Sequence, residues 1–219
     1  MLNLIYNKIM RKSLITLWII LLSVLFSACL FPLKKVRIDN ETKEYCLFDQ
    51  DSYWIYQDSI SLEIDSIIIC KPIGHSTGEN GDIDYEYYYT LVASYSQDST
   101  SKSQLFLSTE YAIYKENISA LELEKASFNK FYYHSGEIKK TYNFLSSNRI
   151  TLLMKKNNCS INGINFYDIK VFESLRQTQK EIYYWAKDVG LIRVEKYDNK
   201  DSLLSVRNLI RYNVKPYKQ

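Results

Sequence analysis

The sequence has little histidine and glycine, and it carries no specific catalytic or metal-binding motif. Histidine occurs only at His75 and His134, and no serine or cysteine motif lies near either of them. The six glycines form no nucleotide-binding loop, and the four cysteines have no zinc-type spacing. Cys159 and His134 could be drawn as nucleophile and base, but no local motif supports that pair. We therefore expect a protein that is not an enzyme and needs no cofactor.

One acidic group is the best candidate for a metal site. It contains Glu79, Asp82, Asp84 and Glu86. The last three alternate along a strand, which places them about 6.6 Å apart on one face. That spacing is wider than a single calcium ion needs, and neighbouring carboxylates also occur on ordinary solvated faces. The sequence therefore favours no metal site.

Net charge is also lacking beyond the first 28 residues. Lys8, Arg11 and Lys12 are the only charged residues before Cys29, and they account for the whole formal charge of +3. The remaining basic residues equal the acidic residues in number. A neutral chain lacks the basic surface that nucleic-acid binding requires, so we expect no nucleic-acid partner.

The N-terminus has the three-part layout of a secretory signal. The cationic stretch Met10–Lys12 is followed by the apolar run Leu14–Phe26 and then by two small residues before Cys29. Met10 is a second candidate for the true start. The alternative is an uncleaved membrane span, since Leu14–Leu33 is long enough to cross a bilayer. Small residues and a proline near the end of that run favour cleavage.

The stretch Leu25-Phe26-Ser27-Ala28-Cys29 resembles the lipobox of bacterial lipoproteins, with Phe26 where that pattern usually has leucine. The resemblance implies that residues 1–28 are a signal peptide and that the Cys29 sulfur carries an acyl chain such as palmitate. Several acyl chains would hold the protein lastingly on a membrane. We expect residues 29–44 to be a lipid-anchored tether and residues 45–219 to form a single antiparallel β domain.

Most of the remaining sequence predicts β-strands, because β-branched and aromatic residues alternate with polar ones. Asn162-Gly163 is a strong signal for a tight hairpin. The result would be an antiparallel meander with at most one or two short helices. The predicted strands are YWIYQ (53–57), LEIDSIIIC (62–70), YEYYYTLVASY (85–95), QLFLSTEYAIY (104–114), RITLLMK (149–155), INFYDIKVF (164–172), EIYYWAK (181–187), GLIRVEKY (190–197) and LLSVRNLIRY (203–212).

Residues 118–131 fit a helix and a strand equally well, and both alternatives stay open. Residues 74–81, which contain three glycines, predict a flexible loop. Cys46, Cys70 and Cys159 allow one disulfide or none, and we expect them to pack in the core, with Cys46 and Cys70 in strand-like segments.

The segments DSYWIYQDSISLEIDSIII (51–69) and EIYYWAKDVGLIRVEKYD (181–198) resemble the two ends of an uncharacterised family of Bacteroidota lipoproteins. The resemblance implies a curved antiparallel sheet, a half-barrel similar to lipoprotein-carrier folds, and brings no catalytic residues. The residues after Cys29 lack the acidic cluster that resembles a surface-export signal in these bacteria. We therefore expect the periplasmic face of the outer membrane rather than the cell surface.

Tyrosine is the one residue in excess, with 20 in the chain. A row of tyrosines on a sheet can line a groove for an apolar ligand, although tyrosine is also an ordinary strand residue. The candidate ligand-binding residues are Tyr87, Tyr89, Leu107 and Trp185. Two functions follow from this sequence: a binding or carrier module for a hydrophobic ligand, a peptide or a partner protein, and a structural or assembly lipoprotein with a filled core.

Overall fold

The computed structural model describes Trp18 and residues 34–80, 83–96, 100–108, 120–123, 141–143, 149–175 and 179–217. The chain divides into two units, Met1–Lys34 and Lys35–Gln219, and the fold is that of the second unit. Apart from Trp18, the signal segment lies outside the described residues, and so do Cys29 and His134. The predicted signal and the acylation of Cys29 therefore stay predictions.

The second unit is mainly β, as the sequence predicts, with one short helix, α1 (Asn40–Cys46), among the described residues. The strands are β1 (Lys34–Val36), β2 (Tyr53–Asp58), β3 (Ile64–Ile69), β4 (Gly74–Asn80), β5 (Ile83–Tyr95), β6 (Thr100–Ser108), β7 (Ala120–Leu123), β8 (Thr141–Asn143), β9 (Arg149–Ile161), β10 (Ile164–Leu175), β11 (Lys180–Ala186), β12 (Gly190–Tyr197) and β13 (Leu203–Asn213).

These strands form one curved, unclosed antiparallel sheet over the described residues. Its order is β7-β6-β5-β3-β2-β13-β12-β11-β10-β9-β8, and β1 and β4 also pair with β5. Neighbours in this order are mostly consecutive in sequence, as in a meander. The exceptions are the pairing of β5 with β3, beside its pairing with β4, and the pairing of β2 with β13, where Tyr56 lies opposite Leu209. The last strand of the chain thereby occupies the middle of the sheet.

The predicted hairpin at Asn162-Gly163 is confirmed. These two residues connect β9 to β10, and both have positive φ, 51° at Asn162 and 79° at Gly163. Both central positions of a type I′ turn need that conformation, which glycine adopts without steric cost. The turn therefore sets the register of the two longest neighbouring strands.

The predicted flexible loop at residues 74–81 is wrong, because residues 74–80 form strand β4. Its backbone pairs residue by residue with β5, from Gly74 opposite Tyr89 to Asn80 opposite Ile83. A Cβ atom at Gly74 would lie only 2.4 Å from the Tyr89 ring. Glycine at this position thus allows close packing between strands. The number of glycines in residues 74–81 cannot by itself distinguish this role from a turn.

The segment before β2 also differs from the sequence expectation. Residues 35–44, assigned above to a tether, belong to the compact unit. Asp39 caps helix α1 by accepting a hydrogen bond from the Thr42 N–H at 2.7 Å, and Tyr45 and Cys46 at the end of the helix are buried. Cys46 is therefore a core residue, as expected, but it lies in a helix rather than a strand. Of residues 118–131, Ala120–Leu123 form strand β7, and the others lie outside the described residues.

Candidate functional site

One side of the sheet, called here the inner face, is defined by the buried side chains of Trp54, Tyr88, Phe172, Tyr183 and Trp185. Their exposed fractions range from 0% for Phe172 and Tyr183 to 6% for Trp54. Directly opposed residues of antiparallel neighbours share a face, which connects these positions across the strands. The described part of the inner face is thus packed by the side chains of the chain itself.

Helix α1 lies on the inner face and is held there by hydrogen bonds. The Tyr45 hydroxyl donates to the carbonyl of Asp168 at 2.7 Å, and the Asp188 N–H donates to the carbonyl of Glu44 at 2.9 Å. Burial raises the pKa of the Cys46 thiol well above its ordinary value. A buried thiol with a raised pKa is a poor nucleophile, so Cys46 is a packing residue.

A buried carboxylate, Glu86 of β5, joins the N-terminal segment to the sheet. It accepts hydrogen bonds from the Ile38 N–H at 2.7 Å and from the Tyr88 hydroxyl at 2.8 Å. Lys43 and His75 lie 3.6 and 3.0 Å from it. Burial acts to raise the pKa of Glu86, but the two hydrogen bonds and the Lys43 ammonium outweigh that effect, so the pKa of Glu86 is lowered.

The acidic group predicted as a possible metal site is divided by these contacts. Glu86 has the partners just described, and Asp84 binds Arg37 through two hydrogen bonds, one of them 2.6 Å long. The side chain of Glu79 and the whole of Asp82 lie outside the described residues. Within the described part of the chain, no three carboxylate, histidine or cysteine side chains come together as metal ligands would.

The four predicted ligand-binding residues are not brought together on one face. Trp185 is buried on the inner face, whereas Tyr87 and Tyr89 lie on the opposite face of β5, with their ring centroids 6.1 Å apart. The backbone of Leu107 pairs with Tyr88 rather than with either of those tyrosines. In β5 the side chains of Glu86, Tyr88, Thr90, Val92 and Ser94, which alternate with Tyr87 and Tyr89, are buried.

A surface that the sequence did not predict lies at the opposite end of the inner strands from helix α1. Its large apolar side chains are about half exposed or more: Ile60 56%, Leu62 66%, Ile64 50%, Leu203 46% and Leu204 48%. We call this group the apolar end. The only sequence signal was an Asp-Ser pair just before each of two sets of apolar residues. Asp58-Ser59 precedes the set that begins at Ile60, and Asp201-Ser202 precedes the set that begins at Leu203. Such pairs are typical of a turn.

Two neighbouring turns build the apolar end. The β2–β3 turn is joined to β13 by a hydrogen bond from the Ser59 N–H to the carbonyl of Val206 at 2.8 Å. The side-chain amide of Asn208 donates to the Ser59 hydroxyl at the same distance. The start of β13 therefore lies beside the β2–β3 turn, and the two sets of apolar side chains are neighbours at this end of the sheet.

Comparisons with known proteins give structural matches only. No family model matches the chain, and no curated protein is detectably similar in sequence. One similar solved structure is a candidate exported protein with a YmcC-like fold from Bacteroides fragilis, with 10% identity and a TM-score of 0.42, covering 77% of this chain and 98% of that one. Another is a candidate lipoprotein from Parabacteroides distasonis, with 10% identity and a TM-score of 0.37, covering 77% and 99%.

None of the helical segments in the described part of the chain has the length and hydropathy that crossing a bilayer requires.

Proposed function

We propose that this protein is a lipid-anchored envelope lipoprotein, acylated at Cys29, whose β domain docks a partner protein. It acts at the periplasmic face of the outer membrane and is not an enzyme. The N-terminal signal layout and the cysteine that follows two small residues support the anchor. A protein held on a membrane through acyl chains needs no membrane-spanning segment of its own.

The observation that carries the docking role is the packed inner face. A carrier of hydrophobic ligands keeps an apolar cavity that the ligand fills. Here Trp185, the predicted ligand-lining residue on that face, is 4% exposed, and helix α1 lies over the same face. Apolar side chains are instead exposed at the apolar end, where a macromolecule can reach them. The geometry therefore favours the assembly function over the carrier function.

Mass spectrometry of the full-length protein, expressed in a bacterial host and extracted in detergent, tests the anchor. We expect a mature chain that begins at an acylated Cys29. The Cys29→Ser variant should carry no acyl chains, and Cys159→Ser is the matched control because it removes a cysteine that should not be acylated. A wild-type protein that keeps residues 1–28 and has no acyl chains would show that the anchor is wrong.

Native mass spectrometry of the same sample tests docking against carriage. A docking module should appear at the mass of the acylated chain alone. A lipid or peptide that co-purifies at constant stoichiometry would support the carrier function and contradict the docking role. Protease treatment of intact cells tests the location, since a chain on the periplasmic face should resist cleavage until the outer membrane is opened.

A further inference from the structure

We infer that residues 35–39, called here the clasp, open as a unit while the rest of the domain stays folded, and that the carboxylate of Glu86 holds them closed. This conformational device goes beyond the docking role proposed above and does not depend on it. Opening frees the first residues of the domain and uncovers part of the edge of strand β5.

The clasp buries little apolar surface. Among its side chains whose burial the structure describes, only that of Ile38 is buried, and the others are exposed. In helix α1 and directly after it, by contrast, Thr42 and residues 45–48 are all buried. Segments with few buried apolar contacts open at a lower free energy than the core does. Residues 35–39 are therefore the part that can open, whereas helix α1 stays packed.

Polar contacts hold the clasp on β5 instead. Arg37 donates to the Asp84 carboxylate at 2.6 and 3.2 Å and to the Asp84 carbonyl at 3.1 Å, but the Arg37 side chain is 40% exposed. Exposed ion pairs contribute little to stability. The Ile38 N–H donates to Glu86 at 2.7 Å, and Glu86 is only 4% exposed. A hydrogen bond to a buried carboxylate is stronger, so Glu86 is the main attachment of the clasp.

The other partners of Glu86 stay in place when the clasp opens. The Tyr88 hydroxyl donates to Glu86 at 2.8 Å, and Lys43 and His75 lie 3.6 and 3.0 Å from it. The His75 ring also stacks on the Tyr88 ring, with the centroids 4.7 Å apart. These partners belong to α1, β4 and β5, which contact one another without the clasp. Removing the charge of Glu86 therefore weakens the clasp before it separates these elements.

The closed clasp covers a strand edge. Strand β4 pairs with the start of β5 along one edge. Along the other edge, within the described residues, β6 pairs with β5 only from Tyr87 onwards. Strand β1 also pairs with β5, and the contacts of Asp84 and Glu86 with the clasp place it on the part of that edge before Tyr87. Opening therefore exposes backbone N–H and C=O groups that can pair with another strand.

A second consequence of opening rests on the proposed anchor. If the chain is acylated at Cys29, the five residues of the clasp join the chain between the anchor and the folded domain when they open. Fully extended, they add at most about 18 Å. A mass spectrum without an acylated Cys29 would remove this longer tether and leave the opening itself to be tested separately.

Hydrogen–deuterium exchange of the full-length protein in detergent, followed by mass spectrometry at low urea concentrations, tests whether the clasp opens alone. Opening of five residues exposes little surface, so the exchange of their amides should change little with urea. The amides of β12 lie in the core, and their exchange should become steeply faster. If the clasp amides had the same urea dependence as β12, the clasp would open only with the whole domain, and the inference would be wrong.

Variants test the role of Glu86 in the absence of urea. We expect the clasp amides to exchange about fivefold faster or more in Glu86→Gln and about twofold faster in Arg37→Ala. Lys215→Ala is the matched control, because it removes an exposed ion pair with Asp51 after β13, and it should leave the clasp rate unchanged. An unchanged rate in Glu86→Gln would overturn the role of Glu86. If circular dichroism showed that Glu86→Gln does not fold, Arg37→Ala would decide in the same way, since its side chain is exposed.

Discussion

The ammonium of Lys170 lies 2.9 Å from a carboxylate oxygen of Glu41, and this contact joins a lysine of β10 that is only 1% exposed to helix α1. The same ammonium lies 4.7 Å from the centroid of the Tyr45 ring. Burial lowers the pKa of Lys170, while Glu41 opposes that shift. A buried cation needs a nearby counter-charge, so the N-terminal segment contributes to the stability of the sheet.

Replacing Glu41 by glutamine should therefore destabilise the domain. We expect Glu41→Gln to lower the free energy of unfolding by about 1–2 kcal/mol at pH 7, because the Lys170 ammonium stays buried without that carboxylate. Urea denaturation followed by tryptophan fluorescence measures the loss. The control is Glu44→Gln on the same helix, whose pair with Lys187 is solvent-exposed and should contribute much less. Equal losses would contradict the prediction.

The lowered pKa of Glu86 predicts a loss of stability in acid. A carboxylate with a folded pKa below its ordinary value of 4.5 stabilises the fold above that pH, and the contribution is lost as the pH falls through the folded pKa. We expect Glu86→Gln to be about 1–2 kcal/mol less stable than the wild type at pH 7, with a smaller difference at pH 3. Urea denaturation at both pH values measures this.

The exposed Glu63 supplies the control for the pH experiment. Glu63→Gln should show the same change in stability between pH 7 and pH 3 as the wild type. If Glu86→Gln kept its full deficit at pH 3, the carboxylate of Glu86 would not be the source of the acid sensitivity.

The hairpin between β9 and β10 predicts a purely conformational effect. A Cβ at Gly163 would meet no atom within 4 Å, so Gly163→Ala tests only the positive φ. We expect a loss of about 1 kcal/mol in the free energy of unfolding, seen as a lower Tm. Asn165→Ala, on the exposed side of the neighbouring strand, should stay within about 0.5 kcal/mol of the wild type. If Gly163→Ala left the free energy of unfolding unchanged, the turn geometry described here would be ruled out.

One buried hydroxyl ties β2 to β12. The Tyr56 hydroxyl donates to the carbonyl of Leu191 at 2.8 Å, and Tyr56 is 3% exposed. We expect Tyr56→Phe to cost about 1 kcal/mol, since the Leu191 carbonyl loses that hydrogen bond in a buried position. Denaturation in urea measures the change. Tyr53→Phe, on the other face of the same strand, should have a smaller effect, and the reverse order would contradict the packing described here.

Several structural features followed from local sequence patterns. Alternation of apolar and polar residues predicted strands that overlap β2, β3, β5 and β9–β13, and Asn162-Gly163 predicted the hairpin. These patterns are local, because a strand repeats every two residues and a tight turn involves only a few positions. They could be recognised without knowing which strands pair.

Other features could not be predicted in this way. Alternation in β5 does not say which of its two faces is buried. The buried face is that of Tyr88, over whose ring the Lys43 ammonium of helix α1 lies. Helix α1 has only seven residues, too few for a helical period to stand out. Candidate ligand residues were therefore assigned to one groove although Tyr87 and Trp185 lie on opposite faces.

The sequence by itself determined the strand class, the tight hairpin and the charge balance, and it predicts an acylated N-terminus. Tertiary structure alone decided that Glu41 pairs with Lys170, that Ile38 binds Glu86 and that the β2–β3 turn lies beside the start of β13. Each of these contacts joins residues tens of positions apart or more. Local propensity carries no information about such partners, because they meet only when burial of apolar surface brings the strands together.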